Sequence, residues 1–335
     1  MRRYGKHTDE DDVRVRPSRK GSRPRTHTRP KHEDAAEGMV LTVDRGRLTC
    51  LVEDRTVTAM KARELGRKGV VVGDHVAVVG DLSGEKDTLA RIVRVEPRSS
   101  VLRRSADDND PYERIVVANA DQLAIVTSLA DPEPRPRLID RCLVAAFDAG
   151  LEPLLVLTKS DLAPSEPLLE TYAPLGVRHT VTNRAELAGG EAAERVRAEL
   201  SGRTTAFVGH SGVGKTTLVN ALVPRRQRAT GHVNAVTGRG RHTTTSALAL
   251  PLPGDDGWVI DTPGVRSFGL NHVDPARVIH AFPDLEPGTA ECPRACGHDE
   301  PDCALDRWVA EGHAEPARLH SLRRLLATRE RREGD

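Results

Sequence analysis

Apolar positions fall in three rhythms along this chain, and each rhythm predicts a different kind of element. Residues 1 to about 36 carry Arg, Lys, Pro, Ser, His and acidic side chains with almost nothing to bury. Such a segment cannot offset its ordering entropy, so a disordered basic tail is expected there. From Gly38 to about Glu96 come short β-rich runs: Met39 to Val43, Leu48 to Val52, Val70 to Val72, His75 to Val79 and Ala90 to Val95. Gly- and Asp-containing turns separate them, which predicts a small β-barrel over 37–98, with an OB-fold as the leading candidate. From about Gln122 to Asp261 the runs Leu123 to Val126, Leu154 to Leu157, Val177 to Val181, Ala206 to Val208 and Trp258 to Ile260 read as buried strands. Leu138 to Ala149, Glu191 to Leu200 and Thr216 to Leu222 read as helices between some of them. That rhythm predicts a parallel α/β sheet covered on both faces, in a domain spanning 99–273. Beyond it, 274–335 is Pro- and Cys-rich and closes in a helix with Leu319, Leu322, Leu325 and Leu326 on one stripe. Arg323, Arg324, Arg329, Arg331 and Arg332 line the rest of that helix. The fold class expected is multidomain α/β.

Composition narrows the function. The chain has 335 residues, enough for two or three domains, and 38% of them are hydrophobic. Its 50 Lys plus Arg against 49 Asp plus Glu leave a net charge of +1, which excludes a uniformly basic nucleic-acid coat protein but not local basic patches. No apolar run approaches the ~18 residues of a membrane span, and the N-terminus has no apolar leader, so a cytoplasmic protein is expected. The barrel region shows none of the aromatic residues on which bases stack, so fold alone assigns it no ligand.

The segment Gly209, His210, Ser211, Gly212, Val213, Gly214, Lys215, Thr216 satisfies G-x-x-x-x-G-K-[ST] between a strand and a helix. Gly212 and Gly214 let several N–H groups turn inward at a helix N-terminus, where an anion is favoured. Lys215 supplies a point charge to the β- and γ-phosphates, and the Thr216 hydroxyl, with Thr217 beside it, is suited to Mg²⁺ and phosphate. The bland alternative is an ordinary glycine turn. Further on, Asp261 ends a strand and Gly264 follows three residues later, a D-x-x-G pattern in which the carboxylate serves Mg²⁺ and the Gly N–H senses the γ-phosphate.

Thr158, Lys159, Ser160 and Asp161 close another strand and resemble the [NT]-K-x-D element of GTPases. A carboxylate at Asp161 accepts N1–H and N2–H₂ of guanine, a donor pair adenine lacks. The stem of Lys159 covers the base, and Thr158 stands where Asn is commoner. A surface turn is the alternative. A third reading, a P-loop ATPase, has no support beyond the phosphate loop.

Motif order is the informative feature: base recognition at 158–161 precedes the phosphate loop at 209–216 and D-x-x-G at 261–264. With a barrel before it and a Cys cluster after it, this order resembles the circularly permuted ribosome small-subunit-dependent GTPase A family, from about residue 38 to the C-terminus. The resemblance implies a circularly permuted Ras-like P-loop GTPase domain. It implies GTP hydrolysis stimulated by the small (30S) ribosomal subunit, late in its maturation, with contacts to 16S rRNA. Domain repositioning or release would be driven by hydrolysis, and the protein would act as a monomer with no membrane partner. Gly238 to Thr245 looks like that family's switch I; one of Thr243, Thr244 and Thr245 is the implied Mg²⁺ ligand, with Thr244 assigned. Val265 stands where Ras has its water-orienting Gln, so His242 is the candidate catalytic residue. Thr182 and Asn183 fall where the second base-contacting loop belongs.

Cys292, Cys296, His298 and Cys303 bring three thiolates and an imidazole within a dozen residues, a closed set suited to one structural Zn²⁺. Free thiols or a redox pair are the alternatives. Cys50 and Cys142 sit in apolar runs and read as core. Against the enzyme reading stands a binding module, in which the barrel, the Zn segment and the Arg-rich helix grip ribosomal RNA.

Overall fold

Alternation within short strands builds the first unit. A computed structural model of the protein describes residues 32–44, 46–66, 69–105, 113–223, 247–262, 270, 273–294 and 296–330. Within these, β1 (Ala36–Asp44), β2 (Arg47–Val52), β3 (Arg55–Lys61), β4 (His75–Gly80) and β5 (Ala90–Val95) form a barrel in the order β1-β2-β3-β5-β4, closed by β4 on β1. The β3–β5 pair is parallel and the others antiparallel. Val40, Leu48, Cys50, Val57, Val76, Val78 and Ile92 face inward. Two expectations for this region change. Val70 to Val72 forms no strand, only a bridge from Val72 to Val117. The missing strand is β3, whose inward set is just Val57 and Ala59 amid threonines and charges, too sparse to register as an apolar run.

After a hairpin of β6 (Val101–Ser105) and β7 (Glu113–Ala118), the α/β region begins. Its strands are β8 (Gln122–Ser128), β9 (Glu152–Thr158), β10 (Arg178–Val181), β11 (Arg203–Val208), β12 (Leu248–Pro251) and β13 (Gly257–Asp261). They lie in the order β10-β9-β8-β11-β13-β12, all parallel except β12. The pairing of Thr42 with Leu248 joins β12 to β1 and makes one continuous sheet of barrel and α/β strands. All seven residues of β8 are buried, as a central parallel strand covered on both faces requires.

Side chains alternate between two cores. Leu123 and Ile125 face one, with α1 (Pro136–Asp148) and α2 (Glu166–Tyr172); Ala124 and Val126 face the other, with α3 (Arg184–Gly189), α4 (Glu191–Leu200) and α5 (Lys215–Leu222). Helix α1 starts on Pro136, and Gly150, in the left-handed region, turns the chain just beyond it.

The C-terminal part adds α6 (Pro275–Ile279), α7 (Ala304–Ala310) and α8 (Pro316–Glu330). The leucine stripe of α8 is buried as the sequence predicts, and it packs into the same core as α1, together with Phe282, Leu285 and Leu305. Two of the arginines beside that stripe, Arg323 and Arg324, are engaged within the fold. Arg323 donates to both Asp306 oxygens at 2.9 and 2.8 Å, and Arg324 lies 5.0 Å over the Tyr172 ring and 3.4 Å from Asp140. Cys50 and Cys142 are core residues, their thiols pushed up to about 12 by burial. No helix among the described residues is long and apolar enough to cross a membrane. Residues 1–31 of the expected tail lie outside the described residues, as do Arg331 and Arg332.

Candidate nucleotide site and metal centre

Parallel strands bring their carboxyl ends to one edge of a sheet, and that edge collects the predicted motifs. Thr158 ends β9, Val208 ends β11 and Asp261 ends β13, with β8 between the first two. Such an edge is where open α/β sheets bind ligands.

The phosphate loop leaves β11 at Gly209, where a Cβ would collide with the Val126 carbonyl of β8. Only glycine lets the loop pass that close. Gly212 and Gly214 have φ of +86° and +89°, the left-handed turns that point consecutive amides to one side. Val213 is buried, while Ser211, Gly212, Thr216 and Thr217 are exposed around the start of α5. His210 is half-buried, its Nδ1 2.8 Å from the Ser211 carbonyl. Lys215 is held against Asp261 in an ion pair and donates to the Thr262 carbonyl at 2.8 Å. The Thr262 hydroxyl in turn donates to the Phe207 carbonyl at 2.5 Å, stitching the end of β13 to β11.

On the base-recognition side, the Thr158 hydroxyl donates to the Val213 carbonyl at 2.6 Å, so β9 is tied to the phosphate loop. Lys159 adopts φ of +61°, and its ammonium donates to the Asp131 carbonyl in the loop after β8. Asp161 is exposed, and its carboxylate has no partner among the described residues. Ser160 N–H donates to the Thr182 carbonyl at 3.2 Å, which places the two turns side by side. The side chains of that second turn are engaged locally. Thr182 is fully buried with its hydroxyl on the Leu157 carbonyl, and Asn183 caps α3, accepting the Glu186 N–H at 2.9 Å. His242, Thr243, Thr244, Thr245 and Gly264 lie outside the described residues.

The cysteine cluster forms a second centre. Ligand atoms of Cys292, Cys296, His298 and Cys303 all lie within 4.8 Å of one another. Cys292 Sγ is 3.8 Å from His298 Nδ1 and 3.9 Å from Cys303 Sγ, and Cys303 Sγ is 3.9 Å from His298 Nδ1. A tetrahedral site with metal–sulfur bonds of about 2.3 Å has edges of about 3.8 Å, so the donor set fits Zn²⁺. Burial lowers the His298 pKa, which favours the neutral imidazole a metal binds.

Three supporting roles are not visible in the sequence, although Arg323 itself stands out there as part of a basic helix face. Glu300 closes the turn by accepting the Gly297 N–H at 2.8 Å and the Cys296 thiol at 3.2 Å; these bonds hold its carboxyl down at about 2. Arg323 anchors the His298 carbonyl at 2.7 Å from α8. Asp131 steadies Lys159 through its backbone, for which residue type carries no signal.

A phosphate loop, a D-x-x-G strand end and a base-recognition strand on one edge, with the last coming first in the chain, define a circularly permuted P-loop GTPase. The RsgA GTPase family model matches residues 95–271. A small ribosomal subunit biogenesis GTPase RsgA of Gemmatimonas aurantiaca is 37% identical over 268 residues, 79% of this chain and 86% of that one. Its counterpart in Chromohalobacter salexigens is 39% identical over 268 residues, 77% of this chain and 75% of that one. The chain therefore belongs to the RsgA GTPase family and is a GTP-hydrolysing enzyme. Among solved structures, YjeQ from Thermotoga maritima superposes with a TM-score of 0.62 at 26% identity, covering 89% of this chain and 99% of that one. YloQ, described as a circularly permuted GTPase, matches in fold with a TM-score of 0.60 at 20% identity, covering 92% of this chain and 98% of that one.

Proposed function

We propose that this protein hydrolyses GTP in the biogenesis of the small ribosomal subunit, with the 30S subunit and its 16S rRNA as partners and triggers. The observation that carries the reading is the 2.6 Å bond between Thr158 and the Val213 carbonyl, which sets a guanine-type element against a phosphate loop. Asp161 reads the guanine N1–H and N2–H₂, and the stem of Lys159 lies along the base. Amides of residues 209–217 and Lys215 surround the phosphates, where they stabilise charge developing in the transition state. Thr216, Asp261 and Thr244 would hold Mg²⁺, which would supply further charge neutralisation at the phosphates. An arriving phosphate competes with Asp261 for Lys215, so ligand entry and freeing of the Asp261 carboxylate are coupled. Gly264 and His242 complete the reading as γ-phosphate sensor and water-positioning group. Zn²⁺ on Cys292, Cys296, His298 and Cys303 is structural, since four protein ligands leave no open position. The layout is a tail over 1–36, an OB-fold over 37–98, the permuted GTPase domain over 99–273 and a zinc-binding domain over 274–335, in a cytoplasmic monomer. Hydrolysis drives repositioning or release from the subunit.

Phosphate release from GTP and from ATP, with and without purified small subunits, tests this. GTP turnover raised many-fold by the subunits is expected, with none from ATP. Asp161→Asn should cut kcat/KM for GTP by about a hundredfold or more, because the variant leaves a guanine donor unpaired. Equal turnover of ATP, or indifference to the subunits, would reject the guanine reading or the ribosomal trigger respectively.

A further inference from the structure

Thr158 occupies the position where guanine-reading elements commonly offer Asn, and its surroundings define a different task. Resting on the guanine reading above, we infer that Thr158 serves the phosphate loop and not the base. It is a positioning residue, and the N7 edge of guanine receives no donor from it.

The residue is 4% exposed, and its hydroxyl lies 2.6 Å from the Val213 carbonyl and 3.3 Å from the Thr127 carbonyl. A threonine hydroxyl has one proton to donate. The shorter bond claims it, and guanine N7 is an acceptor only. Turning the hydroxyl toward N7 would strip the Val213 carbonyl of this donor within a residue that is itself 3% exposed. Loss of a buried partner costs more than a new bond to a base edge returns. An asparagine amide carries two N–H groups and can serve a carbonyl and N7 together, whereas threonine cannot.

What the hydroxyl holds is the turn that shapes the loop. Val213 sits between Gly212 and Gly214, both at positive φ. A Cβ placed on Gly214 would lie 3.7–3.9 Å from three Thr158 atoms, so the side chain packs directly beneath the turn. The bond spans 55 positions of sequence and locks the base-recognition strand to the amides that face phosphate. Guanine selectivity then rests on Asp161.

The test measures dissociation constants of the full-length protein for GDP, 7-deaza-GDP and guanosine, with GTP, ATP and ADP as controls for base selectivity, by displacement of a fluorescent GDP analogue. Wild type, Thr158→Val and Thr158→Ser are compared. The valine variant keeps the packing and loses the hydroxyl; it should bind GDP and 7-deaza-GDP about tenfold more weakly, by the same factor. Guanosine, which has no phosphate, should change by less than about twofold, and Thr158→Ser should restore all three affinities. A loss confined to GDP would mean that the hydroxyl reads N7, and no loss on either would mean that the tether is idle. An equal loss on guanosine, or no rescue by serine, would assign the residue to general fold maintenance. Each of these overturns the inference. ATP displacing the analogue as well as GTP would instead remove the guanine reading, while an ADP penalty in Thr158→Val would still report the tether.

Discussion

Asp74 has no solvent exposure, and Arg98 grips it with both arms: Nε to Oδ1 at 2.6 Å and Nη2 to Oδ2 at 2.8 Å. The Val71 N–H donates to the same carboxylate at 2.8 Å, and Arg98 also reaches the Gly69 carbonyl. The buried charge is therefore fully partnered, and that pairing holds the segment leaving the barrel against the turn that enters β4. Arg98→Ala strands the carboxylate, and a loss of about 3–5 kcal/mol in urea unfolding is expected. Replacing both residues with apolar ones should cost less, since no unpaired charge remains. An unchanged urea midpoint in Arg98→Ala would contradict the pairing. Nothing local marks these residues in the sequence, because the partners are 24 positions apart and each is an ordinary charged residue.

At the scale of an element, α8 is held by more than its leucines. Arg318 lies 4.8 Å over the Phe282 ring and donates to Asp284 at 2.6 and 2.9 Å, and to the Pro174 carbonyl at 2.8 Å. The Arg318 guanidinium holds the Asp284 carboxyl below the ordinary carboxylate range. A depressed folded-state pKa gives a stabilisation that is complete above the unfolded value of about 4 and is lost as pH falls through the lower folded value. Asp284→Asn should therefore lower the melting temperature by a few degrees at pH 7, and the gap to wild type should close toward about pH 3. A gap that persists in acid would show that packing, not charge, carries the effect. Asp140 on α1 behaves oppositely: burial raises its pKa against the pull of Arg324. Of the arginines that read as a nucleic-acid grip on α8, Arg323 and Arg324 are thus occupied in holding the helix down, as is Arg318 one turn and more before them.

For the whole molecule, the zinc-type cluster and the α/β sheet share one core. Cys303 and Leu305 belong to the same apolar cluster as Leu123 and Leu143, and Arg323 ties α8 to the His298 carbonyl. Stripping metal with a strong chelator should lower the melting temperature by more than about 5 °C. Amide exchange should rise across residues 292–303 and along α8 while the barrel, with its own core, stays protected. Exchange confined to 292–303 would mean that the centre is uncoupled from the helix.

Legibility of this chain followed the range of the interactions involved. The phosphate loop, the D-x-x-G strand end, the base-recognition element and the Cys₃His set were visible because each is a short local motif whose residue types the chemistry dictates. The parallel strands β8, β9 and β11 were visible because a strand buried on both faces is largely apolar, and β3 was missed because a half-buried barrel strand need not be. The leucine stripe of α8 showed that this helix has a partner, but not that α1 is the partner. Tertiary structure alone decided which hydroxyl holds which carbonyl, as at Thr158 and Val213, and which arginines are spent on buried carboxylates. Those contacts join residues tens of positions apart, where sequence spacing carries no geometric information and only the folded backbone sets the distance.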